Sequence, residues 1–198
     1  MNYLAHAFLS FENPGIVTGG MIADHIKGRR ALDNLPGPIA AGVRLHRAID
    51  EQADRHPAML RTAMLFRPEY RLYAGPIVDT VMDHFLANDP ACFESEAALL
   101  SFTERTYHQL RADEAWWPEA FAAYFQHMEA HNWLYNYRHL KGADRSLQGL
   151  QRRARYMPDA TGAYRTFVGY YYQINQAYFE VMDDLRRFAR QWLTQEGF

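Results

Sequence analysis

Apolar residues recur at spacings of three and four along nearly the whole chain, while alternating β-branched runs are scarce. That periodicity allows a bundle of helices and little else. Helices are expected at about 2–10, 16–27, 38–55, 57–66, 75–88, 95–111, 117–138, 145–155 and 161–195. Several ends have a physical cause. Pro14-Gly15 breaks the chain before the second helix, and Gly28 can end it. Pro57 disfavours helix through His56, and Gly75-Pro76 opens the fifth helix. The last helix, rich in Tyr and Phe, is expected to cross the whole bundle. The 198 residues suffice for one all-α domain spanning 1–198 with a substantial core.

Charge and composition exclude several classes. The net charge is −2, so no general attraction to nucleic acid or to a membrane surface is expected. The single cysteine, Cys92, rules out a disulfide framework within the chain and a cysteine-rich zinc site. The N-terminus lacks the basic and long apolar regions of a signal peptide, and no apolar run approaches the roughly 20 residues that span a bilayer. A cytoplasmic protein is the expectation. Basic residues are almost all Arg, with Lys27 and Lys141 the two lysines. Arg binds phosphate as a planar fork.

Ionisable residues interrupt the apolar faces of four early helices. On the third helix Ile39, Val43, His46, Asp50 and Ala53 follow spacings of 4, 3, 4 and 3, which is one face. His46 and Asp50 therefore reach one point, and a buried Asp is costly unless paired or bound to a cation. On the fifth helix Asp79, Asp83 and His84 lie among Ile77, Val78, Val81, Met82, Phe85 and Leu86. His6 and Asp24 sit among apolar neighbours in the first two helices, with Gly20 one turn before Asp24. Taken singly, each has a plain structural reading. His46 with Asp50 can be a buried pair, Asp24 can pair with Arg44 or Arg47, and Asp79 can be an exposed helix residue. Their accumulation within ninety residues favours a divalent-ion site for Mn²⁺, Fe²⁺, Co²⁺ or Zn²⁺. Such an ion polarises a phosphoryl oxygen and acidifies a water. No Gly-rich phosphate loop, nucleophile elbow or H-E-x-x-H motif is present. His25 and His56 stay unassigned, and His108, His127, His131 and His139 read as surface or packing residues.

Four ordered blocks carry a family resemblance: Met1-Asn2-Tyr3-Leu4-Ala5-His6, residues 19–28 (GGMIADHIKG), residues 42–50 (GVRLHRAID) and residues 79–86 (DTVMDHFL). Together they resemble the acyl carrier protein phosphodiesterase family over about residues 1–88. The resemblance departs from that family's pattern at Gly20 and His25, beside Asp24. It implies a fold related to the HD-domain metal phosphohydrolases. It also implies hydrolysis, assisted by Mn²⁺ with Mg²⁺ a further candidate, of the diester joining 4′-phosphopantetheine to a serine of holo-acyl carrier protein. By position it marks Asp24, His6, His46, Asp50, Asp83 and His84. The expected metal ligands are His6, Asp24, His46, Asp83 and His84, and Asp24, His46, Arg47 and Asp50 are expected to carry catalysis. Arg44 or Arg47 would neutralise phosphoryl charge. An acidic carrier protein would dock on Lys27-Gly28-Arg29-Arg30 or on Arg152-Arg153-Ala154-Arg155. The rival expectations are hydrolysis of a nucleotide or other small phosphate ester, and a helical binding protein without turnover.

Overall fold

The computed structural model describes residues 1–198 and contains helices and no strand. Twelve α-helices follow one another: α1 (Tyr3–Leu9), α2 (Ile16–Ile22), α3 (Arg29–Asp33), α4 (Gly37–Arg55), α5 (Pro57–Tyr70), α6 (Ala74–Ala87), α7 (Glu96–Ala112), α8 (Glu119–Ala130), α9 (Trp133–Asn136), α10 (Leu140–Arg153), α11 (Ala160–Gly169) and α12 (Tyr171–Glu196). A 3₁₀ turn, Ala23–His25, extends α2. One hydrophobic core of 55 buried residues runs from Met1 to Leu193.

The helix α6 lies at the centre. Ile77, Val78, Val81, Met82, Phe85 and Leu86 are all buried, because α1, α5, α10 and α12 pack around it. The polar residues Thr80, Asp83 and His84 are buried with them. The helix α4 turns Ile39, Val43, Ile49 and Ala53 inward and packs most closely on α2.

Where the chain departs from the expected elements, local chemistry explains the difference. The segment 117–138 is two helices, because Asn132 takes a left-handed φ of 39° and its side-chain oxygen accepts the Tyr135 N–H at 3.1 Å. The long last helix is also two, broken at Tyr170 directly after Gly169. The helix α5 continues past the expected end at 66, through Pro68. Phe66 and Tyr70 are buried there, and the Tyr70 hydroxyl donates to the Asp159 carbonyl at 2.7 Å. Gly28, with φ +80°, starts the unanticipated short α3.

The contact of α2 with α4 is backbone on backbone. A Cβ on Gly42 would stand 2.3 Å from the Ile16 carbonyl oxygen and 2.9 Å from Gly19 Cα. One on Gly19 would stand 2.0 Å from the Ile39 carbonyl oxygen. Gly42→Ala is therefore expected to destabilise the fold by ~1–3 kcal/mol or more, read as a lowered urea midpoint. Gly149→Ala on α10 is the control: its Cβ meets Arg152 Nη2 at 3.7 Å and nothing closer. There the helix gains up to ~1 kcal/mol. Equal stability of Gly42→Ala and the parent would contradict the close packing.

Candidate metal centre

The α2–α4 contact sets the first element of the site. It brings the Gly20 carbonyl 2.8 Å from His46 Nδ1, so that nitrogen carries the proton and donates. Nε2, on the other side of the ring, is the atom that would offer a lone pair once its proton leaves. There it faces Asp50 Oδ2 at 3.1 Å, one turn along α4, and Asp24 Oδ1 at 3.4 Å from the 3₁₀ turn. A backbone carbonyl holding the far nitrogen is the usual support of a metal-binding imidazole.

The helix α1 brings the second imidazole. His6 stacks on His46 with ring centroids 3.7 Å apart and an interplanar angle of 20°. It is 3% exposed, its Nε2 lies 3.2 Å from Asp50 Oδ1, and neither ring nitrogen makes a hydrogen bond. His6, His46 and Asp50 thus offer one ligand atom each, all within 4.8 Å of one another. Ligands held ~2.1 Å from one ion lie roughly 3–3.4 Å apart, and the distances from Asp50 to the two imidazoles fall in that range. Two imidazoles and a carboxylate suit a first-row divalent ion. The buried His6 nitrogens make no hydrogen bond, and Nε2 has the Asp50 carboxylate as its neighbour, which leaves both atoms able to ligate.

Electrostatics agree. Burial and the neighbouring His46 push the His6 imidazole down to about 4, so it is neutral at pH 7 and able to ligate. Burial also opposes charge on His46, but Asp24 and Asp50 outweigh it and hold that group up at about 9. His46 draws the Asp24 carboxyl below its usual range. Burial works against the Asp50 charge, yet His46, His6 and the Met1 α-ammonium hold its carboxyl far below the carboxylate range. Positive charge is what this spot demands. The α-ammonium lies 3.0 Å from Asp50 Oδ1 and 3.0 Å from Asp79 Oδ1. Asp79 is therefore no free surface residue, and this partner was not evident from the sequence. The cluster opens into a cleft of about 650 Å³ lined by Asp24, His46, Arg47, Asp50, Glu51 and Asp54, among others.

Two expected ligands are not brought to the cluster. Asp83 is fully buried and accepts the backbone N–H of Leu4 at 2.8 Å and of Ala5 at 3.1 Å. Asn2, the residue before α1, makes no side-chain cap, so Asp83 of α6 caps the helix from across the core. Burial raises its carboxyl to about 7 against the pull of those two N–H groups. His84 has both nitrogens engaged: Nδ1–H donates to the Tyr137 carbonyl at 2.8 Å, and Nε2 accepts the Tyr171 hydroxyl at 2.9 Å. No lone pair is left for a metal.

The cationic candidates separate as well. Arg44 points away and pairs with Glu196 at 3.3 Å. Arg47 lines the cleft while one of its N–H groups donates to the Ile26 carbonyl at 2.6 Å. Lys27, Arg29 and Arg30 are exposed, Arg29 beside Asp33 at 3.6 Å. His56 caps α5, accepting the Ala58 N–H at 3.2 Å, and its Nε2 faces Asp184 at 3.2 Å. His25 Nε2 lies 3.2 Å from the Tyr124 hydroxyl, which is itself hydrogen-bonded to Tyr3.

The fold and site define a class: an all-helical protein with a His-His-Asp cluster that could hold a metal ion, set beside a cleft rich in carboxylates. A family model described as acyl carrier protein phosphodiesterase matches residues 1–185, and the chain belongs to that family, whose name denotes a phosphodiester hydrolase. It is similar to the acyl carrier protein phosphodiesterase of Photorhabdus laumondii subsp. laumondii, with 27% identity over 86% of this chain and 86% of the relative. Similarity to that of Serratia proteamaculans is 26% over 96% of this chain and 98% of the relative. For that of an Enterobacter species it is 29% over 77% and 79%. No solved structure matches the chain. No helix is long and apolar enough to cross a membrane.

Two substitutions separate ligand from cap. His6→Ala is expected to weaken Mn²⁺ binding at least about 10-fold in a calorimetric titration, since even groups that act through a ligand cost 10–100-fold. Asp83→Asn turns an NH₂ toward the N–H of Leu4 or Ala5 and is expected to cost roughly 1–3 kcal/mol of stability while the folded protein keeps its metal stoichiometry. Loss of metal with unchanged stability would make Asp83 a ligand after all.

Proposed function

We propose that the protein is a divalent-metal-dependent phosphodiesterase that removes 4′-phosphopantetheine from the serine of holo-acyl carrier protein and leaves the apo carrier. The observation that carries this reading is the convergence of His6, His46 and Asp50 on an acidic cleft in a chain of this family. The three residues would hold the ion, with Asp24 beside His46 Nε2 on the 3₁₀ turn. Mn²⁺ is the ion proposed, and the donor set equally accepts Fe²⁺, Co²⁺ or Zn²⁺. When bound, it supplies Lewis acidity to a phosphoryl oxygen and lowers the pKa of water.

The chain's own residues do the rest. The Gly20 carbonyl fixes the tautomer and aim of His46. The α-ammonium and the two imidazoles keep Asp50 ionised. Asp24, ionised and 68% exposed, faces the open cleft, where it can take the proton of the attacking water. Arg47 is tied to the Ile26 carbonyl, and its remaining N–H groups are free to neutralise charge on the phosphoryl oxygens. Water adds its oxygen to phosphorus, the bond from phosphorus to the serine oxygen breaks, and the serine recovers a proton. Asp83 supports this site by tying α6 to α1, and His84 ties α6 to Tyr137 and to Tyr171 of α12.

Incubation of holo-acyl carrier protein with the protein and Mn²⁺, followed by intact mass measurement, tests the reading. The expected result is loss of the mass of one phosphopantetheine, abolished by a chelator and restored by Mn²⁺. Asp24→Ala is expected to slow it about 10²-fold or more. A carrier that keeps its prosthetic group at saturating Mn²⁺, with turnover of a small phosphate ester instead, would redirect the activity to that class of substrate.

A further inference from the structure

A second cleft, of about 730 Å³, lies between α1, α6 and the α8–α10 segment. Its volume is within the roughly 300–1,000 Å³ of small-molecule sites. Its walls include Tyr3, one turn before His6, and His25, next to Asp24, so the chain segments that carry the metal centre also reach this cleft. Arg145, Arg152 and Arg153 line it, no carboxylate does, and none of the three guanidiniums has an ion-pair partner. The first cleft differs, since it carries four carboxylates, Asp24, Asp50, Glu51 and Asp54, against two arginines, Arg47 and Arg55. A cation fits one side and an anion the other.

The remaining walls are neutral and hydrogen-bonding. Asn136 gives its NH₂ to the His131 and Asn132 carbonyls, and Gln148 gives its NH₂ to Asp144. The amide oxygens of both are left as acceptors. Tyr124 and Trp133 stack with an interplanar angle of 8° and add a flat apolar wall. Such a lining suits a ligand with an anionic end and a neutral amide-bearing chain.

We propose that this cleft binds the phosphopantetheine arm, with the phosphate at the Tyr3–His25 end, between Arg153 and the metal centre, and the amide chain lying between Asn136, Gln148 and the Tyr124–Trp133 wall. This rests on the activity proposed above and adds to it a site for the leaving arm. Gly149 faces the cleft without a side chain, and a Cβ there has open space beyond Arg152. A large side chain at this position would fill the cleft without breaking α10.

Calorimetric titration of the whole protein with free 4′-phosphopantetheine tests the proposal. Wild type is expected to bind saturably, and more tightly than it binds unphosphorylated pantetheine. Gly149→Phe is expected to bind at least tenfold more weakly, with Gly149→Ala within about threefold of wild type. Arg153→Glu, on the exposed end of α10, is the second variant and is also expected to lose at least tenfold. Absence of binding by wild type, or equal affinity in Gly149→Phe with an unchanged melting temperature, overturns the proposal. So does full affinity in Arg153→Glu if Gly149→Phe fails to fold. Binding without removal of the group from holo-carrier would keep the cleft and reject the activity. Removal that Gly149→Phe leaves untouched would keep the activity and reject the cleft.

Discussion

The contact between α2 and α4 at Gly19 and Gly42 is the constraint on which the site depends. Where these two helices touch there is room for hydrogen atoms and nothing larger. That closeness delivers the Gly20 carbonyl to His46 Nδ1 and sets the 3₁₀ turn carrying Asp24 above His46 Nε2. A wider helix pair would leave His46 free to turn, and the cluster would lose its aim. Packing and chemistry are the same feature here, because a metal-binding imidazole is only as well placed as the group that holds its other nitrogen.

The second constraint is charge. Asp50, His6, His46 and Asp79 lie in or beside the core, where an uncompensated charge is expensive. The Met1 α-ammonium is buried between Asp50 and Asp79, and those two carboxylates raise it to about 11 against the opposing pull of burial. His6 stays neutral, stacked on a cationic His46. A divalent ion among His6, His46 and Asp50 would provide the charge that the His46 proton and the ammonium now approximate. The feature that favours the proposed cation site over a closed hydrogen-bonded network is the buried His6, neither of whose nitrogens makes a well-aligned hydrogen bond.

Much of this was legible in the sequence. The three- and four-residue spacing identified an all-helical chain, and the polar residues on the apolar face of α4 identified His46 and Asp50. Asp83 looked equally compelling, and the reason it differs lies beyond its helix. A carboxylate on a buried face can be compensated by a cation or by a pair of backbone N–H groups. The pair that answers Asp83 comes from Leu4 and Ala5, far away in the chain. The same applies to His84, whose partners are the Tyr137 carbonyl and Tyr171. Helix breaks followed a similar rule. Pro57 announced the end of α4 by its own geometry, whereas the break at Asn132 needed a left-handed residue that periodicity does not reveal. Arg152 and Arg153 stood out in the sequence as part of a basic run, but the cleft they line was hidden because they and Arg145 meet Tyr3 and His25 only after α10 has packed on α6.

Anomalous diffraction from Mn²⁺-soaked crystals tests the central claim most directly. The account predicts one strong peak about 2.0–2.2 Å from His6 Nε2, His46 Nε2 and an Asp50 oxygen. A peak seated on Asp83 or His84, or no peak at saturating Mn²⁺, would contradict it.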